Sequence, residues 1–116
     1  MTMKEASERY SIPVKVLKEY EGWRLKKVME AGQYDDQDLE RLGMVMALYE
    51  IGFSSREAET YMRLMLEGDS TQPQRLDMLN RKRGSTLDEI HFKEKQIAHM
   101  DYLRYEMCKD RETILK

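Results

Sequence analysis

The chain lacks the residues that mark most classes of small protein. Among 116 residues there is a single cysteine. Neither an intramolecular disulfide nor a multi-cysteine zinc site can be built from it, and a reducing, cytoplasmic setting is the default. No apolar run reaches the roughly 18 residues needed to cross a bilayer. The charged N-terminus has no signal-peptide core, so no membrane partner is expected. Charge of one sign is missing as well: 20 Lys+Arg face 22 Asp+Glu, a formal net charge of −2. A small nucleic-acid-binding protein is more often basic. Residues 1–68 carry 10 basic and 13 acidic side chains, residues 69–116 carry 10 and 9, so any such surface must come from local placement. There is no nucleophile elbow, no phosphate-binding glycine loop and no Cys/His pair of useful spacing. No catalysis and no cofactor are expected.

What is present is helix-forming. Leu, Met, Glu, Lys, Arg and Ala dominate and β-branched residues are few, so the fold class is all-α. Thr2, with Glu5 three residues later, caps a first helix to about Tyr10. Ser11-Ile12-Pro13 breaks it, and Pro13 suits the first position of a second helix over about Val14–Glu21 that Gly22 ends. Two short helices about a tight turn form the helix-turn-helix pattern, with Ala6, Ile12, Val16, Leu17 and Tyr20 as its core. Residues 23–34 are less regular; Glu30-Ala31-Gly32 either turns a small hairpin, a short wing, or stays loop.

Asp35 is an N-cap, and Leu39, Leu42, Val45, Met46 and Tyr49 recur at helical spacing up to Gly52. Ser54 or Ser55 caps the next helix, with Ala58, Tyr61, Met62, Met65 and Leu66 on its apolar face and Gly68 at its end. Glu67–Pro73 reads as the linker. Beyond it, residues 74 to about 112 form a long helix, with Gly84-Ser85 as a place to kink. Its apolar residues Leu87, Ile90, Ile97, Met100, Leu103 and Met107 have nothing further in the chain to pack on. They call for a partner helix, most economically the same helix of a second copy.

Four segments in order resemble the MerR family of bacterial transcription regulators. Met3-Lys4-Glu5-Ala6-Ser7 followed by Ile12-Pro13-Val14-Lys15-Val16-Leu17-Lys18-Glu19-Tyr20-Glu21 is similar to the family's first helix, turn and recognition helix, which end in Leu-Arg-Tyr-Tyr-Glu. Gln33-Tyr34 with Asp38-Leu39-Glu40-Arg41-Leu42 resembles the end of the wing and the start of the third helix. Ile51-Gly52-Phe53-Ser54 is similar to a Leu-Gly-Phe-Ser turn. Leu87-Asp88-Glu89-Ile90 through Met100-Asp101-Tyr102-Leu103 resembles the dimerisation helix.

The resemblance implies a winged helix-turn-helix domain over 1–68 with a short wing. A linker and dimerisation helix would follow over 69–116, packed as an antiparallel coiled coil. It implies a homodimer on a pseudo-palindromic double-stranded promoter, which it bends, with RNA polymerase as a further candidate partner. In the family an effector then alters the DNA twist. No separate effector domain is expected here, so a signal would act through the dimer seam or another protein.

Lys15, Lys18, Arg24, Lys26 and Lys27 are the candidate phosphate contacts, and Tyr20 is carried with them from the signature. Two departures stand out. Lys18-Glu19 replaces Arg-Tyr, and Glu19 would repel a phosphate; the short wing has Gly32-Gln33-Tyr34 in place of the family's Gly-Tyr-Arg run. That supports an alternative: a degenerate helix-turn-helix that modulates a partner regulator without tight DNA binding.

Other features take plainer readings. Asp35-Asp36-Gln37-Asp38 lacks the spacing of a calcium loop and reads as helix capping. His91 and His99 make no metal site by themselves. Cys108 reads as a small interface residue, and Trp23 as an anchor of the wing against the core.

Overall fold

The structure, a computed structural model, describes residues 1–25 and 33–115, with side chains up to 109. Among the described residues five α-helices follow one another: α1 Met3–Tyr10, α2 Val14–Trp23, α3 Asp36–Glu50, α4 Ser55–Glu67 and α5 Gln72–Leu115. A 3-10 turn, Asp69–Thr71, precedes α5. Among the described residues there is no strand, only an isolated antiparallel bridge between Thr2 and Gln33. The chain is all-α, as its composition dictates.

The helix starts are chemical. Thr2 Oγ1 accepts from the Glu5 amide at 3.2 Å. Asp35 and Asp38 form a reciprocal capping box at α3, and Ser54 and Glu57 form another at α4. Each satisfies amide donors that a helix N-terminus otherwise leaves unpaired.

Three boundaries differ from expectation. Gly22 lies inside α2, which runs on to Trp23 and closes at Arg24 in the left-handed conformation (φ 52°). Gly84-Ser85 does not divide α5. The expected linker is a packed turn. Gly68 (φ 113°) ends α4, and the buried Thr71 has its hydroxyl 2.6 Å from the Leu64 carbonyl and 2.8 Å from that of Gly68. The same oxygen accepts from Arg75 Nε at 3.0 Å.

The chain divides into two compact units, Met1–Met78 and Leu79–Lys116. In the first, α1 packs on α2, α2 on α3 and α3 on α4. Its core holds Ala6, Ile12, Val16, Leu17, Tyr20, Trp23, Tyr34, Leu42, Val45, Leu48, Phe53, Ala58, Tyr61 and Met62. All five predicted helix-turn-helix core residues are there. On α3 Leu48 is buried, whereas Leu39, Met46 and Tyr49 are only half-buried; on α4 Leu66 is exposed. The second unit is the rest of α5. Ile90, Ile97, Met100, Leu103 and Met107 are 46 to 69 % exposed there, and Leu87 is half-buried.

No helix among the described residues is long and apolar enough to cross a membrane.

Candidate nucleic-acid interface

The helix α2 has two faces, and its sequence sets them. Val16, Leu17, Tyr20 and Trp23 recur at helical spacing and are buried. Val14, Lys15, Lys18 and Gly22 fall on the opposite side and are exposed. Among the described residues no ion pair engages Lys15, Lys18 or Arg24, and the last is exposed at the C-cap. The structure thus places Lys15 and Lys18 on one face, with Arg24 after them. Lys26, Lys27 and the hairpin expected at Glu30-Ala31-Gly32 lie outside the described residues.

Tyr20 is a correction. It is 1 % exposed, and its hydroxyl donates to Asp38 Oδ1 at 2.7 Å. A side chain buried in that way is not offered to a ligand. Its ring meets Trp23 edge-on and Tyr34 at a tilt, both with centroids 6.5 Å away. Burial, and then the bond to Asp38, holds the phenol well above the usual tyrosine range.

Glu19 and Glu21 sit at the two edges of the exposed face, both half-buried. Each carboxylate is held by a phenol from elsewhere in the fold. Tyr49 of α3 donates to Glu19 Oε2, and Tyr34 donates to Glu21 Oε1 at 2.7 Å. Burial first, and the bond to Glu19 second, pushes the Tyr49 phenol up to about 12. Burial and Glu21 raise Tyr34 likewise. In the sequence Glu19 stands as a negative charge with no local partner. Its partner lies 30 residues away, and no local signal pairs them.

Two more contacts fix the ends of this region. Arg63 of α4 donates to the Trp23 carbonyl at 2.7 Å, so a guanidinium meets the last carbonyls of α2. Gln33 and Tyr34 return to the first residues, where the Tyr34 amide donates to the Met1 carbonyl at 2.7 Å.

Among the described residues no cluster of His, Cys, Asp and Glu could hold a metal. Cys108 is an exposed free thiol.

The arrangement is similar to solved structures. A MerR family transcriptional regulator from Listeria monocytogenes aligns with TM-score 0.64 at 20 % identity, covering 88 % of this chain and 81 % of that one. HiNmlR, a MerR family regulator lacking the sensor domain and bound to promoter DNA, aligns with TM-score 0.60 at 21 % identity, over 92 % and 86 %. A MerR family transcriptional regulator from Bacillus thuringiensis aligns with TM-score 0.58 at 18 % identity, over 87 % and 93 %. At these identities the likeness is one of fold. No curated protein matches the sequence. The model of the MerR HTH family regulatory protein matches residues 1–64, more than half of the chain, and with its helix-turn-helix core in place the chain belongs to the MerR family.

Proposed function

We propose that the protein is a DNA-binding transcription regulator that acts as a homodimer on a pseudo-palindromic promoter, with α2 in the major groove. The observation that carries this reading is the outer face of α2. It offers Lys15 and Lys18, with Arg24 beyond them, while both glutamates of the helix are engaged at its edges by Tyr49 and Tyr34. Lysines on such a face contact phosphates, and the first turn of a recognition helix meets base edges. Lys26 and Lys27 join the proposal on sequence alone. One structural neighbour, HiNmlR, is itself bound to promoter DNA.

Residues 1–68 are proposed as the DNA-binding domain and residues 69–116 as linker and dimerisation helix. The half-buried Leu87 and the exposed Ile90, Ile97, Met100, Leu103 and Met107 recur at steps of three, four and seven residues. A stripe of that kind buries itself against an antiparallel second copy. Two copies related by a two-fold axis then match two half-sites. RNA polymerase is a further proposed partner and the cytoplasm the proposed location.

Fluorescence anisotropy on duplex DNA from upstream of the protein's own gene tests the reading. Binding is expected to weaken steeply with salt. Lys15→Glu and Lys18→Glu should each lower the affinity and reduce the salt slope by about 1. Absence of salt-sensitive binding at low ionic strength would overturn it.

A further inference from the structure

The apolar stripe of α5 is interrupted by cations. Counted by sevens, one row runs Arg83, Ile90, Ile97, Arg104 and the other Thr86, Lys93, Met100, Met107. Two rows at that spacing, three or four residues apart, form the seam of a coiled coil. Lys93 and Arg104 thus stand where an apolar side chain would bury more surface, and both are exposed. Arg104 lies 3.7 Å from Asp101, one turn back, with 81 % of its side chain exposed. Helix formation gives no reason for these cations, because Leu serves a helix as well as Lys or Arg. A charged residue in a seam lowers its stability, and its effect is to select one register.

In an antiparallel pair, a residue of one row meets a residue of the other. Setting Ile97 against the partner's Met100 fixes the rest by counting. Ile90 then meets the partner's Met107, and Lys93 meets the partner's Arg104. Both isoleucines find methionines, and the cations share a layer. Four carboxylates border that layer: Glu89 and Glu94 near Lys93, and the partner's Asp101 and the partner's Glu106 near the partner's Arg104. Sliding one copy by a heptad sets Lys93 against the partner's Ile97, or Arg104 against the partner's Met100. Either slide presses a cation onto an apolar side chain. A parallel pair sets each cation against its own copy.

We infer that Lys93 and Arg104 are the register determinants of self-association through α5, holding two antiparallel copies with Ile97 against the partner's Met100 and excluding the neighbouring registers. This rests on the proposed dimer and adds which residues meet in it. On the flank of the seam, the same register sets Leu87 beside the partner's Cys108, and Cys108 is an exposed free thiol.

That thiol reads the register. Leu87→Cys, Asn80→Cys and Glu94→Cys each add one further thiol, at 87 or one heptad to either side of it. A short bismaleimide is applied to each dimer at micromolar concentration. Leu87→Cys should give a covalent dimer, while the other two variants and the wild type should not. Arg104→Leu and Lys93→Leu should each tighten self-association about tenfold. Combined with either of them, Asn80→Cys or Glu94→Cys should crosslink as well, because the register is no longer single.

If the wild type is dimeric but crosslinks best from position 80 or 94, through Cys108 alone, or from none of these, the register is refuted and the dimer stands. Leucine variants whose crosslinking stays confined to position 87, or that associate no more tightly than wild type, refute the role of the cations. A wild type that is monomeric by light scattering overturns both readings.

Discussion

The phenol of Tyr49 ties α3 to the outer edge of α2 through Glu19. Tyr34 does the same at the other edge, and Tyr20 links the core to Asp38, itself 1 % exposed. These hydroxyls must be protonated to donate. A free tyrosine ionises near 10, whereas burial and Glu19 move Tyr49 to about 12. The folded state therefore favours the protonated phenol. Its contribution is complete below pH 10 and is lost as the pH rises from 10 towards 12. In urea titrations, Tyr49→Phe should cost about 1 kcal/mol at neutral pH. The variant should also lose less stability than wild type between pH 10 and 12. Equal pH dependence of the two proteins would show that the bond to Glu19 does not contribute. At this scale the sequence was half legible. Spacing put Tyr20 in the core correctly, while its place in the family signature suggested a DNA contact that burial forbids. The pairs Glu19–Tyr49 and Glu21–Tyr34 join residues far apart in sequence, and nothing local announces them.

Helix starts were easier to read than helix ends. Asp35 with Asp38 and Ser54 with Glu57 are capping boxes in sequence and in structure, because a cap acts within four residues. Ser54→Ala and Asp35→Ala are each expected to lower stability by about 1 kcal/mol. Chemical denaturation reads this as a lower midpoint at unchanged slope. Asp35→Asn should retain most of the effect. Helix ends depend on what lies beyond them. Gly22 and Gly84 looked like a stop and a weak point, yet an interior glycine costs a helix only about 1 kcal/mol. Tertiary contacts or mere length carry the helix through. α2 closes instead at Arg24, whose amide donates to the Glu21 carbonyl, and Arg63, 40 residues from its acceptor, binds the Trp23 carbonyl. Glu67–Pro73 looked like a linker by composition. The hydroxyl of Thr71, placed among two carbonyls and Arg75, makes it a built corner, with the Arg75 guanidinium 5.9 Å from the centroid of the Tyr61 ring.

The whole molecule carries almost no net charge and an exposed apolar stripe on its last helix. The stripe was legible because apolar residues recur on one long helix among charged ones. Ile97 and Met100, 56 and 58 % exposed, are the sharpest probes. An aspartate at either position would bury an unpaired charge in the proposed seam. Ile97→Asp and Met100→Asp should weaken self-association by about a hundredfold or more, at several kcal/mol for such a charge. Light scattering after gel filtration would then show a monomer at micromolar concentration. A monomeric wild type would refute the dimer. The proposed DNA-facing surface was legible only as a strip of lysines, since exposure and the binding of the two glutamates depend on the packed fold.

Tyr49 and Tyr34 hold Glu19 and Glu21 but do not neutralise them. In the proposed complex the lysine strip is therefore bordered on both sides by fixed negative charge. A duplex seated in register brings its phosphates to the cations between those borders. One that is shifted or tilted brings them against a carboxylate that its phenol keeps from swinging away. The acidic edges would thus act as a rejection device among the vast excess of wrong genomic sites, raising the ratio of correct to incorrect binding. In that complex a chain of formal net charge −2 would gain selectivity from the same residues that limit its grip.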